Sequence, residues 1–215
     1  MAAPTELSEV AHWVATGPPA FVVRPLYQKL ELQLWKARGR RGLTPHAVKQ
    51  EAVREYSRRY QLRIMVETGT YLGDMVWAMR RDFRDIHSVE LDPALHARAV
   101  FRLRRLGHVR LWQGDSARVL GEIVTRLEEP ALFWLDGHYS GGITARGESD
   151  TPVLAELTHV FGDRRHSHVA LIDDAVDFMA NADYPSIADL EKHLHEIRTG
   201  LTVAVAENII RVHQT

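Results

Sequence analysis

Cysteine is absent from the chain. Disulfides, thiolate metal sites and a cysteine nucleophile are therefore excluded, and a reducing, cytoplasmic setting is expected. An excess of either charge is also missing: 27 basic and 28 acidic residues leave a formal net charge of −1. That balance supplies no general pull toward nucleic acid or an anionic membrane, and neither is expected as a partner. The uncharged stretch Val10–Val23 is interrupted by Gly17-Pro18-Pro19 and is too short to span a bilayer. The first sixteen residues carry two glutamates and no lysine or arginine, which does not suit a secretory signal. Internal repeats and low-complexity tracts are lacking too.

What is present is a 215-residue chain, 45% hydrophobic, enough for one globular domain with a sizeable core. Residues 1–43 are the least regular part, two short apolar-spaced segments ending in the cluster Arg38-Gly39-Arg40-Arg41-Gly42. They read as an N-terminal helical extension, a lid or a homodimer contact, ahead of a main domain over 44–215. From Thr44-Pro45 the pattern alternates. Helical stripes such as Leu95, Ala99 and Leu103, or Leu120, Ile123, Val124 and Leu127, separate the strand-like runs 63–69, 85–91, 109–115, 131–137 and 167–174. Ser116 reads as a helix cap, Ser186 through Asp189 as a capping box, and the two β-rich runs either side of Glu207-Asn208 as a hairpin. Strand–helix alternation predicts an α/β fold, a mostly parallel sheet with helices on both faces and an antiparallel last strand. Such sheets bind ligands at the carboxyl ends of their strands.

Polar residues gather at those ends. The first strand runs into Glu67-Thr68-Gly69-Thr70-Tyr71-Leu72-Gly73. Gly69 permits a tight turn, and a carboxylate at Glu67 repels phosphate but can take up an ammonium. Glu90 follows 23 positions later, about where a nucleoside-binding fold places the acid that grips ribose hydroxyls. Asp115 and Ser116 can accept from and donate to an adenine edge, or simply cap the next helix. Together the three strand ends suit a nucleoside with an amino-acid-like tail.

The runs VETGTYLGDMV, SVELD, QGDS and LFWLDGHYSGG resemble successive motifs of the class I S-adenosylmethionine-dependent methyltransferases. The resemblance covers roughly Pro45 to residue 215. It implies a Rossmann-like seven-stranded sheet, with S-adenosylmethionine held by Glu67, Gly69, Thr70, Tyr71, Gly73, Glu90, Asp115, Ser116 and Asp136. Of these, Gly69 and its neighbours would meet the methionine part, Glu90 the ribose, and Asp115 with Ser116 the adenine.

Asp136 closes the fourth strand and Asp173-Asp174 the fifth. Adjacent strands lie about 4.8 Å apart, so these acids can converge, and converged carboxylates repel unless a cation binds them. An all-oxygen site suits Mg²⁺, Mn²⁺ or Ca²⁺ rather than zinc. The layout resembles the metal-dependent O-methyltransferases, catechol-type and macrolide-sugar enzymes among them. His138, two residues past Asp136, is placed to take the acceptor proton, with Asp136 itself as the rival base. Tyr139, Ser140 and Thr144 offer hydroxyls to the acceptor in a loop carrying Gly141, Gly142 and Gly147. The DGHYSGG run looks most like bacterial sugar O-methyltransferases, including the mycobacterial type that methylates a mannoside, which implies a sugar or oligosaccharide acceptor. Two rivals stand beside this reading. A nicotinamide-dependent sugar oxidoreductase is disfavoured by Glu67 and the lack of Gly-x-Gly-x-x-Gly, and a non-catalytic nucleoside-binding scaffold by Asp136, His138, Asp173 and Asp174.

Overall fold

The structure, a computed structural model, describes residues 30–40, 44–136, 152–180 and 184–215. The chain divides into two compact units, Met1–Glu51 and Ala52–Thr215. In the first, residues 30–37 are helical, Arg40 stacks over the Trp35 ring, and α1 (His46–Tyr60) begins.

The second unit holds the sheet. In chain order it comprises the rest of α1, β1 (Ile64–Thr68), α2 (Asp74–Met79), β2 (Asp85–Glu90), α3 (Pro93–Leu103), β3 (Val109–Gln113) and α4 (Ser116–Arg126). There follow β4 (Ala131–Leu135), α5 (Val153–Gly162), β5 (Val169–Ile172), α6 (Asp177–Ala180), α7 (Ile187–Ile197), β6 (Leu201–Ala206) and β7 (Ile209–Gln214). The seven strands lie in the order β3-β2-β1-β4-β5-β7-β6. All pairings among the first five strands are parallel, and β7 runs antiparallel to both β5 and β6. The antiparallel last strand and the terminal hairpin read from the sequence are therefore present.

Why these runs become central strands follows from their burial. β1, β4 and β5 are buried at every position, as two-sided cover requires. Alternate residues serve opposite faces. Val66, Phe133, Ala170 and Ile210 meet Leu120, Ile123, Leu157, Phe161, Leu190 and Leu194. On the other face Met65, Trp134, Leu171 and Ile209 meet Val53, Tyr56, Met75, Met79 and Leu103. The helix ends also have chemical causes. Asp92 caps α3 by accepting from the N–H groups of Ala94 and Leu95, with Pro93 in the first turn. Ser186 and Asp189 form the expected capping box on α7. At α4 the reading from sequence is corrected: Asp115, in extended backbone, is the cap and accepts from Ala117 N–H, while Ser116 is already helical. A Ser next to an Asp offers two equivalent caps in sequence, and backbone geometry selects one. The short α6 was not anticipated. Among the described residues no helix is long and apolar enough to cross a membrane.

At the amino edge of the sheet, Asp163 gathers hydrogen bonds from Arg165 and lies 3.0 Å from His166 Nδ1 and 3.1 Å from His168 Nε2. His168 is buried, and its Nδ1 accepts the Ala131 N–H at 3.0 Å, so its proton sits on Nε2 and is donated to Asp163. Burial works against an ionised Asp163, but the bonds from Arg165, His166 and His168 hold it well below the usual carboxylate range. Burial lowers His168, which Asp163 partly opposes, and burial likewise lowers His87. A histidine lowered in the folded state resists protonation that the unfolded chain accepts. Stability is therefore full above the ordinary histidine pKa of about 6.5 and falls as pH drops below it. The depressed Asp163 adds a second loss below roughly pH 4. The melting temperature should decline in these two stages on acidification. His168→Leu should cost about 1–3 kcal/mol at pH 8, because Asp163 and Ala131 N–H each lose a partner, and make the first stage shallower. Thermal and urea melts of both proteins across pH 2–8 measure this.

Candidate active site

The site is built where β1, β2, β4 and β5 end. Gly69 leaves β1 with φ 82°, and the N–H groups of Gly69 and Thr70 both donate to Val89 O on β2, at 3.0 and 3.1 Å. The turn thus folds back over the end of β2. Gly73 ends it at φ 74°, a backbone conformation that calls for glycine, and a Cβ there would also meet Leu103 Cδ1 at 2.9 Å. Tyr71, between them, is left-handed at φ 48° and directs its N–H into Glu90 Oε2 at 2.7 Å. The other oxygen of Glu90 accepts the N–H of Asp92 at 2.9 Å. Two backbone donors therefore fix the plane of the Glu90 carboxylate in the gap between the β1 turn and β2.

Glu67 is 2% exposed. Its carboxylate accepts the Ser88 hydroxyl, and Ser88 Oγ lies 2.5 Å from Thr70 Oγ1. With Ser88 donating to Glu67, Thr70 donates to Ser88, a relay linking β1, its turn and β2. Burial pushes Glu67 well above the usual carboxylate range; Asp136, Asp74 and Glu90 push the same way, against the Ser88 hydrogen bond. Such a carboxylate suits a cationic ligand, because the cation would return what burial removes. Ser88 was missed from the sequence, because His87 and Glu90 make β2 polar at several positions and only burial singles the serine out.

The two neighbouring strands bring the remaining acids. Asp136 N–H donates to Thr68 O at 3.2 Å, and Asp173 N–H donates to Leu135 O at 3.0 Å. The sheet ladder thus extends one residue beyond β4 and β5, setting Asp136 beside the β1 turn and Asp173 beside Asp136. Asp136, Asp173 and Asp174 each present a carboxylate oxygen, all within 4.8 Å of one another. Asp173 is fully buried; its Oδ1 accepts the N–H of Asp174, which is left-handed at φ 51°. Three oxygen donors and no nitrogen or sulfur match a hard divalent cation. His138, Tyr139, Ser140 and Thr144 fall in 137–151, outside the described residues.

Two other features differ in kind. Asp163, His166 and His168 also bring ligand atoms within 4.8 Å. A ligating histidine donates its second nitrogen's proton outward, whereas Nδ1 of His168 faces the Ala131 donor. The group is a structural clasp. A groove of about 470 Å³ between α4 and α5, lined by residues such as Gly121, His159 and Arg165, contains no strand-end acid.

This strand order, with a glycine turn after β1 and an acid after β2, defines a Rossmann-like methyltransferase fold. Solved structures sharing it include an O-methyltransferase from Bacillus cereus in complex with S-adenosylhomocysteine. That structure is 13% identical, covers 96% of this chain and 97% of its own, and has a TM-score of 0.58. The S-adenosylhomocysteine-bound methyltransferase PaMTH1 of Podospora anserina is 13% identical over 100% of this chain and 99% of its own, TM-score 0.56. The O-methyltransferase TomG of Streptomyces achromogenes, involved in tomaymycin synthesis and solved with S-adenosylmethionine, is 17% identical over 79% and 80%, TM-score 0.55. No protein-family model and no curated protein matches the sequence.

Three carboxylates this close should make the cation-free protein less stable than it could be. Mn²⁺ should raise the melting temperature by roughly 5–10 °C at a hundredfold excess over Kd. Asp136→Asn should melt no lower than wild type in EDTA and lose most of the Mn²⁺ response. Thermal scans of the two proteins with and without Mn²⁺ check both statements.

Proposed function

We infer that the chain is an S-adenosylmethionine-dependent O-methyltransferase that requires Mg²⁺ or Mn²⁺ and methylates a hydroxyl of a sugar or oligosaccharide, a mannoside being one such acceptor. One observation carries the reading: the cluster of Asp136, Asp173 and Asp174 is joined to the β1 turn through the Asp136 N–H···O=C Thr68 bond. A hard-cation donor set therefore lies beside a turn suited to a cationic nucleoside. Two of the structural neighbours are O-methyltransferases, which supports oxygen as the methyl acceptor. The hydroxyls of Tyr139, Ser140 and Thr144 support a polyhydroxylated acceptor.

The residues present fit both absent groups. Glu67 would hold the α-ammonium of the methyl donor, Glu90 its ribose hydroxyls, and Asp115 with Ser116 the adenine edge. S-adenosylmethionine supplies an activated methyl, whose transfer to an acceptor oxygen leaves the electron pair on sulfur. A divalent ion held by Asp136, Asp173 and Asp174 would supply acidification of the acceptor hydroxyl. The released proton passes to Nδ1 or Nε2 of His138, or to the carboxylate of Asp136 as the alternative base. The relay Thr70–Ser88–Glu67 holds the Glu67 carboxylate in place while the ligand is bound.

Methyl transfer from a labelled donor to a panel of sugars should stop in EDTA and return with Mg²⁺ or Mn²⁺; full transfer in EDTA would remove the cation from the mechanism. His138→Ala should lower turnover about 10²–10⁴-fold while leaving S-adenosylhomocysteine affinity nearly unchanged.

Glu67→Gln separates stability from binding. An acid raised by burial costs stability as pH climbs above its ordinary value, so the ligand-free variant should melt no lower than wild type at pH 8. Its affinity for S-adenosylhomocysteine should nevertheless drop about 10–100-fold, for loss of a charge-assisted hydrogen bond. Calorimetry on both proteins decides it, and unchanged affinity would release Glu67 from the site.

A further inference from the structure

We propose that Asn208, at the tip of the β6–β7 hairpin, is a positioning residue for the metal-binding acids; this rests on the cation reading above. The register of β7 against β5 pairs Ala170 with Val212 and Ile172 with Ile210, so two residues further on Asp174 stands opposite Asn208. The hairpin has a two-residue loop whose central residues both lie at positive φ, Glu207 at 53° and Asn208 at 61°, as a type I′ turn demands. Glycine is the usual residue at the second of these positions, because it adopts that conformation without cost. An asparagine there tolerates the backbone and brings an amide that glycine lacks.

Both polar atoms of that amide are engaged. Asn208 Nδ2 donates to Asp174 Oδ1 at 3.1 Å, and Asn208 Oδ1 accepts the Val176 N–H at 2.8 Å. The backbone carbonyl of Asn208 accepts the Ala175 N–H at 2.9 Å. Because Val176 N–H can only donate, the amide atom facing it is oxygen, and the –NH₂ must face Asp174. The chain of constraint therefore runs from the hairpin through Asn208 to Asp174, and through the Asp174 N–H to Asp173 Oδ1 at 2.9 Å. A neutral donor fixes the Asp174 carboxylate without contributing a positive charge that would compete with a cation. Partners of this kind, one step removed from the ion, commonly set metal affinity by 10–100-fold.

The test is Mn²⁺ affinity of the full chain, read by the loss of free-ion electron paramagnetic resonance signal without methyl donor or acceptor. Asn208→Gly suits the turn and keeps the carbonyl to Ala175. It should melt within a few degrees of wild type in EDTA, bind S-adenosylhomocysteine as wild type does, and bind Mn²⁺ about 10–100-fold more weakly. Glu207→Gly, which alters the same turn but leaves the amide, should bind Mn²⁺ within twofold of wild type. Equal Mn²⁺ affinity in Asn208→Gly and wild type overturns the role of Asn208 and leaves the cation site standing. An equal loss in Glu207→Gly assigns the effect to the turn and also overturns it. Wild-type protein that takes up no Mn²⁺ defeats the cation reading itself, and this proposal with it.

Discussion

Negative charge crowded at one edge of a buried sheet is the constraint on which the rest of the site depends. Glu67, Glu90, Asp136, Asp173 and Asp174 terminate four neighbouring strands, and three of them are nearly or wholly buried. Ionised groups lose hydration there, and each raises the cost of the next. The protein meets part of that cost itself: backbone donors serve Glu90, the Ser88 hydroxyl serves Glu67, and amide donors serve Asp173 and Asp174. These bonds orient the acids but carry no formal charge. On the reading proposed above, cationic ligands would complete the edge.

The opposite edge shows the contrasting solution. Asp163 is as buried as many acids at the other end, yet Arg165, His166 and His168 surround it within one short stretch of chain. Its charge is answered locally and in full. Asp163 thus has its counter-charge among the residues next to it in sequence, and the bonds that hold it serve the fold.

Most of the architecture was legible in the sequence because each strand and helix announces its own burial. Phe133 and Leu171 sit in strands apolar at every position, and Leu190 and Leu194 follow a capping box that the structure retains. Within the site, the strand-end acids were legible because polar residues closing apolar runs stand out. What escaped depends on three-dimensional register. Asn208 reads as a turn residue until the antiparallel pairing of β7 sets it against Asp174. Ser88 reads as one polar residue in a strand until Glu67 is found across the ladder. The exchange of Asp115 for Ser116 as helix cap was a choice between adjacent, chemically equivalent residues, which spacing alone cannot make.

Asp136 belongs to two environments at once, and its charge is felt at Glu67 as well as at Asp173 and Asp174. On the reading proposed above, a cation on the aspartates would offset part of the repulsion that adds to burial in raising Glu67, and so would favour a positive group beside it. By thermodynamic reciprocity that group would strengthen the hold on the ion by the same factor. A single shared carboxylate would in that case couple the two sites, with no movement of the fold.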